Sequence, residues 1–267
     1  MSLILEQWPL WMLAAMVATT VIAGIAHGAM GFGFPLLSTP VVALYTDVRT
    51  AVLITLLPNI VLNLISVVRG SQWRQTLLRH GAVAGYVMLG TLVGTRVLNF
   101  ADPRFLRLLL AAMIVVYLIQ ARNRTDAAKP GFGLRHPRLA PAVCGLAGGF
   151  FSGTVNVTLP PLLMYFSTIG LAPVAMTQAL NLSFLVGRLT QAAAVGVAGH
   201  WSTALIALSI PLSAVAVLAL LFGFRLQRRI APEVFRRLLH VVLWTMAAVL
   251  LYQALRGWLD APAAAAG

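Results

Sequence analysis

Apolar residues run along this chain in blocks of twelve to twenty-five, parted by short stretches rich in arginine, glycine or proline. The blocks predict ten membrane-entering helical segments: 9–30, 34–45, 49–68, 80–97 and 105–120, then 139–152, 155–168, 173–197, 203–222 and 237–255. The second block of each five is short. Twelve helical residues reach about 18 Å, and the hydrocarbon layer is about 30 Å thick. The pattern therefore reads as eight full spans plus two short segments, 34–45 and 155–168, which either re-enter or cross with the help of unwound backbone.

Composition places those blocks in a bilayer. The chain is 60% hydrophobic and 9% charged, where a soluble domain carries about 25% charged residues. It is read as an all-α polytopic integral membrane protein. The acids Glu6, Asp47, Asp102, Asp126, Glu233 and Asp260 fall in loops or termini. The net charge of +13 comes from arginines between apolar blocks, without an aromatic-interleaved basic surface. That argues for lipid contact and topology, not nucleic acid. Basic residues also choose between topologies. With eight spans they divide nine against nine. With ten, loops 69–79, 121–138 and 223–237 hold thirteen together, opposite Arg49, Arg96, Arg104, Arg107 and Arg256. Short cytoplasmic loops collect Lys and Arg, so ten crossings with both termini outside are favoured. Cys144 stands alone and the five histidines lack ligand spacing, so no metal site or cofactor is expected. Residues 9–30 read as a retained segment and 261–267 as a disordered tail.

The pattern repeats. GIAHG (24–28) matches GLAGG (145–149) at an offset of 121, and Thr55 and Asn59 fall on Thr177 and Asn181 at 122. The units are 1–128 and 129–260, acting as one transmembrane domain. Five crossings per unit make them inverted copies.

Helix breakers stand where a membrane helix should run on. Gly31, Gly33, Pro35 and Pro40 interrupt the first unit, and Gly149, Gly153, Pro160 and Pro161 the second. Irregular backbone survives at membrane depth only inside protein or beside a wet cavity. Paired discontinuous helices are the sequence pointer to a transporter's central site, where helix N-termini hold an anion. The pairs Gly24/Gly28, Gly145/Gly149, Gly81/Gly85 and Gly90/Gly94 read instead as close-packing motifs.

The third segment of each unit carries a polar stripe. Thr177, Asn181, Arg188 and Gln191 share an arc of roughly 80°, matched by Thr55, Asn59, Asn63 and Ser66. Arg188 is the single charge inside a predicted span, with no intraspan acid to pair with. Such a charge costs roughly 2.5–3.5 kcal/mol on insertion scales. Its fork suits an oxyanion, and the competing structural role is to bind carbonyls at a helix break or to snorkel to a loop acid. Thr154 and Asn156 join the candidate site from the second break. His27, opposite Gly148 at the offset of 121, is either a proton relay or a packed side chain.

The runs GAMGFGFPLLSTP (28–40), TLLPNIVLN (55–63), GTLVGTR (90–96) and GGFFSGTVNVTLPP (148–161) resemble those of the TauE/SafE family of membrane transporters over roughly 10–255. The resemblance implies a duplicated helical unit moving sulfite, sulfonates or related organic anions across the bacterial inner membrane. Phe32 and Phe34 stand where that family has smaller residues.

The expectation is a multi-pass permease of the plasma membrane, working by alternating access on a small anionic substrate. No G-x-x-x-x-G-K-[ST] is present, so its drive is a gradient. The coupling ion and oligomeric state stay open. An intramembrane enzyme lacks an intraspan acid and any HExxH or GxSxG. A scaffold or assembly subunit is the other alternative, and it predicts dry polar stripes without a cavity.

Overall fold

The computed structural model describes residues 8–70, 73–122, 136, 137, 139–227 and 232–259, with backbone alone at 232–239 and 257–259. Most of the joining stretch 121–138 and all of 261–267 lie outside them. The described residues form ten helices: α1 (Leu10–Met30), α2 (Phe34–Tyr45), α3 (Val48–Arg69), α4 (Trp73–Phe100), α5 (Pro103–Arg122), α6 (Ala140–Val155), α7 (Leu159–Thr168), α8 (Pro173–Val197), α9 (Thr203–Leu226) and α10 (Pro232–Leu259).

Each expected segment has its helix, and the differences are at the ends. α4 begins at Trp73, about two turns ahead of the apolar block, because the polar stretch 73–79 lacks a glycine or proline to stop the helix. α6 runs on to Val155, so the second break falls at 156–158. Six helices (α1, α3, α4, α5, α8 and α9) are long and apolar enough to cross a membrane. α2, α6 and the part of α10 from His240 to Arg256 are apolar but shorter. Among the described residues, length and hydropathy thus support six spans; of the other two expected full spans, α6 ends at its break after 16 residues, and α10 runs 28 residues as a helix with side chains described from His240 to Arg256.

Polarity is inverted relative to a soluble protein. Ile22, Val68, Val93, Leu218 and Phe222 are exposed on the outside, whereas Asn59, Asn63, Asn181, Arg188 and Gln191 are buried. A hydrocarbon solvent makes that arrangement favourable, because the polar groups can bond only to one another.

Glycines set which helices touch. Gly24 faces Ala216, Ala219 and Leu220, and Gly28 faces Leu220, Gly223 and Phe224, so α1 and α9 run parallel at close range. Likewise Gly145 faces Val83 and Tyr86, Gly149 faces Val87 and Thr91, and Gly153 faces Thr91 and Thr95, so α6 and α4 run parallel. Gly90 and Gly94 take part from the α4 side, packing on Leu146 and Phe150. A Cβ at Gly149 would be driven into the Val87 carbonyl. Gly81 and Gly85 differ, since a Cβ at Gly85 would meet nothing within 4 Å. Close packing therefore accounts for three of the four glycine pairs.

Contacts at the helix ends fix direction. At one end Trp11 meets Tyr45 edge-on at 6.2 Å, Arg49 Nε donates to the Leu98 carbonyl at 2.9 Å, and Gln253 reaches the Leu44 carbonyl. At the other end Gln178 Nε2 donates to the Val67 carbonyl, His80 lies against Phe166, and Tyr117 against His240. Successive helices alternate in direction between these ends. α2 leads back from the first break to the end where α1 starts, and α7 does the same for α6.

Candidate functional site

Both breaks are short turns in the left-handed region of backbone space. α1 closes on Gly31 (φ 82°), and α2 opens from Gly33 (φ 113°) with Pro35 in its first turn. α6 closes on Asn156 (φ 64°), and α7 opens from Thr158 with Pro160 in its first turn. Asn156 is the one non-glycine with positive φ among the described residues. Asparagine tolerates that conformation best of the side chains with a Cβ. The caps Gly31 and Asn156 are 125 residues apart, so the breaks follow a different register from the offset of 121. This register sets His27 opposite Ser152 instead of Gly148.

The structure redistributes the expected breakers. Gly31, Gly33 and Pro35 form the first break, while Pro40 lies within α2. Pro160 and Pro161 lie at the start of α7. Gly149 and Gly153 are corrected: they lie inside α6, where their work is contact with α4.

Each polar stripe runs past both breaks. On α3, Asn59 Nδ2 donates to Asn156 Oδ1 (3.3 Å), and the Thr55 hydroxyl accepts from Asn156 Nδ2 (3.0 Å). Further along, Asn63 Nδ2 donates to Asn59 Oδ1, and Ser66 Oγ meets His27 Nε2 at 3.1 Å. On α8, Thr177 packs its methyl on Gly31, and Asn181 Nδ2 donates to the Gly31 carbonyl at 2.7 Å. Further along, Arg188 and Gln191 serve the second break. The first part of each stripe therefore supports the break in the other half of the chain, and the later part that in its own half.

Arg188 is fully buried and its partners are neutral. Nη1 donates to Gln191 Oε1 (2.6 Å), and Nη2 to the Ser152 carbonyl (2.9 Å), the Ser152 hydroxyl and, at 3.4 Å, Thr158 Oγ1. Gln191 Nε2 completes the set by donating to the Gly153 carbonyl. The guanidinium thus stands at the C-terminal end of α6, as a second donor to the Ser152 carbonyl beside the Asn156 N–H, while Gln191 serves the Gly153 carbonyl. A cation at that end also meets the negative pole of the helix dipole.

Arg188 also lines a narrow cavity of about 10 Å³ with Asn59, Phe184, Gly33, Leu36, Asn156 and Thr158. A water needs roughly 10–15 Å³, so the cavity holds about one. The starts of α2 and α7 both reach it, and neither start has a side-chain cap. Two positive helix poles and a guanidinium thus meet at this void, beside the negative pole of α6 at Asn156.

Of the residues expected from sequence, Arg188, Asn59, Asn156, Gly33 and Pro35 line this cavity. Thr55, Asn63 and Gln191 stand behind it through hydrogen bonds. Asn181, Thr177, Ser66 and His27 gather at the first break. The Thr154 hydroxyl bonds back to the Phe150 carbonyl within α6. Four residues were missed. Ser152 and Thr158 hold Arg188, Thr39 accepts from Asn156 Nδ2 at 2.6 Å, and Phe184 walls the cavity. Phe184 lies one turn before Arg188 on the same helix face, which periodicity could have found. Ser152 is visible only once the register of 125 is known.

A family model described as sulfite exporter TauE/SafE matches residues 16–250. No curated protein and no solved structure matches the chain.

Proposed function

The chain belongs to the sulfite exporter TauE/SafE family, a family of transporters and not enzymes, and on that footing we propose that it is a secondary transporter for sulfite or a related small sulfur oxyanion. The observation that carries this is the convergence of Arg188, Asn59, Asn156 and the starts of α2 and α7 on one cavity. In this reading Ser152, Thr158 and Gln191 hold the guanidinium while no substrate is bound. An arriving oxyanion takes over the fork, and Asn59 and Asn156 donate to its remaining oxygens.

Alternating access follows from the same arrangement. A cavity for about one water cannot admit the anion until one break moves. Because α3 and α8 each hold both breaks, moving either shifts the contacts of the other. Residues 1–128 and 129–260 act as inverted units of one transmembrane domain. The opposite starting ends of α1 and α6 favour this, as does the collection of Arg69, Arg74, Arg79 and Arg122 at one end of the bundle. We assign that end to the cytoplasm of a bacterial inner membrane. Reporter fusions after residues 75 and 230 test it, and an external signal at either would sink it.

His27 supplies the coupling hypothesis. It is buried at the first break, bonded through Nε2 to Ser66, with Nδ1 unpartnered beside Asn181, whose Oδ1 is also unpartnered. A proton on Nδ1 would give His27 a donor to offer on the Asn181 side, and sulfite uptake by His27→Gln that keeps its dependence on an imposed pH gradient would refute the coupling role.

Uptake of labelled sulfite into proteoliposomes tests the function. Transport by the intact protein and its loss in folded Arg188→Gln is expected. Transport surviving in the variant would make Arg188 purely a cap of α6.

A further inference from the structure

A second cavity lies at the end of the bundle where α4 and α8 begin. It measures about 220 Å³, more than twenty times the central one, and is lined by Gln75, Thr76, Arg79, His80, Leu171 and Ala175. It shares no residue with the central cavity.

We propose that this cavity is a second anion site, a basic vestibule that takes an oxyanion of the sulfite, sulfate or phosphate class. Among the described residues its lining offers a guanidinium from Arg79, amide and hydroxyl donors from Gln75 and Thr76, and no carboxylate. Thr76 is buried at 5% exposure, so its hydroxyl belongs to the interior wall. The four polar lining residues come from the first two turns of α4. Ala175 comes from the first turn of α8, whose cap residue Ala172 has no side-chain acceptor to offer. The start of α8 therefore brings one positive helix pole to the void, which the first two turns of α4 flank with their side chains. Asp47 and Asp102 sit by Thr50 and Arg104, at the opposite end of the bundle, and Glu233 lies in the first turn of α10 at the vestibule's end, outside its described lining. Leu171, and Phe166 beside His80 at 5.7 Å, add an apolar wall. That wall suits an oxyanion with an organic tail, whether a sulfonate or a phospholipid.

α7 joins the two sites. It begins beside Arg188's cavity at Leu159 and ends next to the vestibule, and its ten residues span about 15 Å. An anion held at Arg79 would thus wait one short helix away from the central site. The vestibule stands on its own lining and does not require the central cavity to transport anything.

The test uses the full chain in nanodiscs of phosphatidylcholine. Calorimetric titration with sodium sulfite and with inorganic phosphate is compared for the intact protein, Arg79→Gln and Arg188→Gln. Native mass spectrometry of the protein extracted from phosphatidylglycerol-containing membranes reports retained lipid. Arg79 is exposed, so its variant is expected to fold. The expected result is oxyanion binding that persists in Arg188→Gln and weakens about tenfold in Arg79→Gln, the scale of one charge-assisted bond. Loss of retained phosphatidylglycerol in Arg79→Gln, with no free-anion binding to lose, identifies a lipid phosphate as the same site's ligand. The proposal is overturned if Arg79→Gln and Thr76→Val leave both anion binding and lipid retention unchanged. It is overturned equally if Arg188→Gln alone removes all binding.

Discussion

Replacing Arg188 by glutamine separates transport from stability. In the folded protein the arginine donates to Ser152, Thr158 and Gln191. Glutamine is shorter and neutral, so Gln191 Oε1 loses its donor, and the Ser152 carbonyl keeps only the Asn156 N–H at 3.2 Å. An unsatisfied buried acceptor costs about 1–3 kcal/mol. Removing the charge from membrane depth returns roughly 2.5–3.5 kcal/mol on insertion scales. These terms nearly cancel, so the variant is expected to melt within a few degrees of the intact protein. The substrate has no such compensation. Losing even one charge-assisted fork removes about 1.5–3 kcal/mol per bond, which for two bonds means a fall in sulfite uptake on the order of 100-fold or more. Arg188→Lys keeps the charge without the planar fork and should fall between. Initial uptake rates in proteoliposomes, normalised to folded protein by size exclusion, read the result. A folded Arg188→Gln that transports within threefold of the intact protein would refute the reasoning.

Other predictions rest on separate contacts. Gly149→Ala should destabilise by about 1–3 kcal/mol through overpacking against α4, whereas Gly85→Ala, in open space, should be neutral or slightly stabilising by helix propensity; thermal melts in detergent compare the two. Asn156→Gly should keep the second break and lose only its hydrogen bonds, whereas Asn156→Ala adds a left-handed penalty of about 1–2 kcal/mol. The two should therefore differ in melting temperature, with alanine the lower. In a chain whose sole Cys144 is replaced, cysteine at Phe184 should react with a water-soluble thiol reagent and be protected by sulfite, and cysteine at lipid-facing Leu189 should not; equal labelling of both would place the pathway elsewhere.

The helices were legible because hydropathy is a local property. An apolar block of twenty residues has to satisfy its own backbone in a bilayer, whatever its neighbours are. The isolation of Arg188 was legible for the same reason, since no acid occurs in any apolar block. The breaks were legible as regions but not to the residue. Glycine marks both close packing and positive φ, and the string alone does not distinguish Gly153, packed inside α6, from Gly33, turning the chain.

What the amino-acid order determined by itself was the set of ten helices, their polar stripes and an unpaired buried cation. Only the tertiary structure decided who meets whom: that Asn59 holds Asn156 and Asn181 holds Gly31 across the two units, and that Arg188 rests on Ser152. Hydropathy assigns each residue to oil or to protein one segment at a time. Hydrogen-bond partners 97, 150 or 36 positions away depend on which glycine faces bring which helices together, and that is a property of the whole bundle.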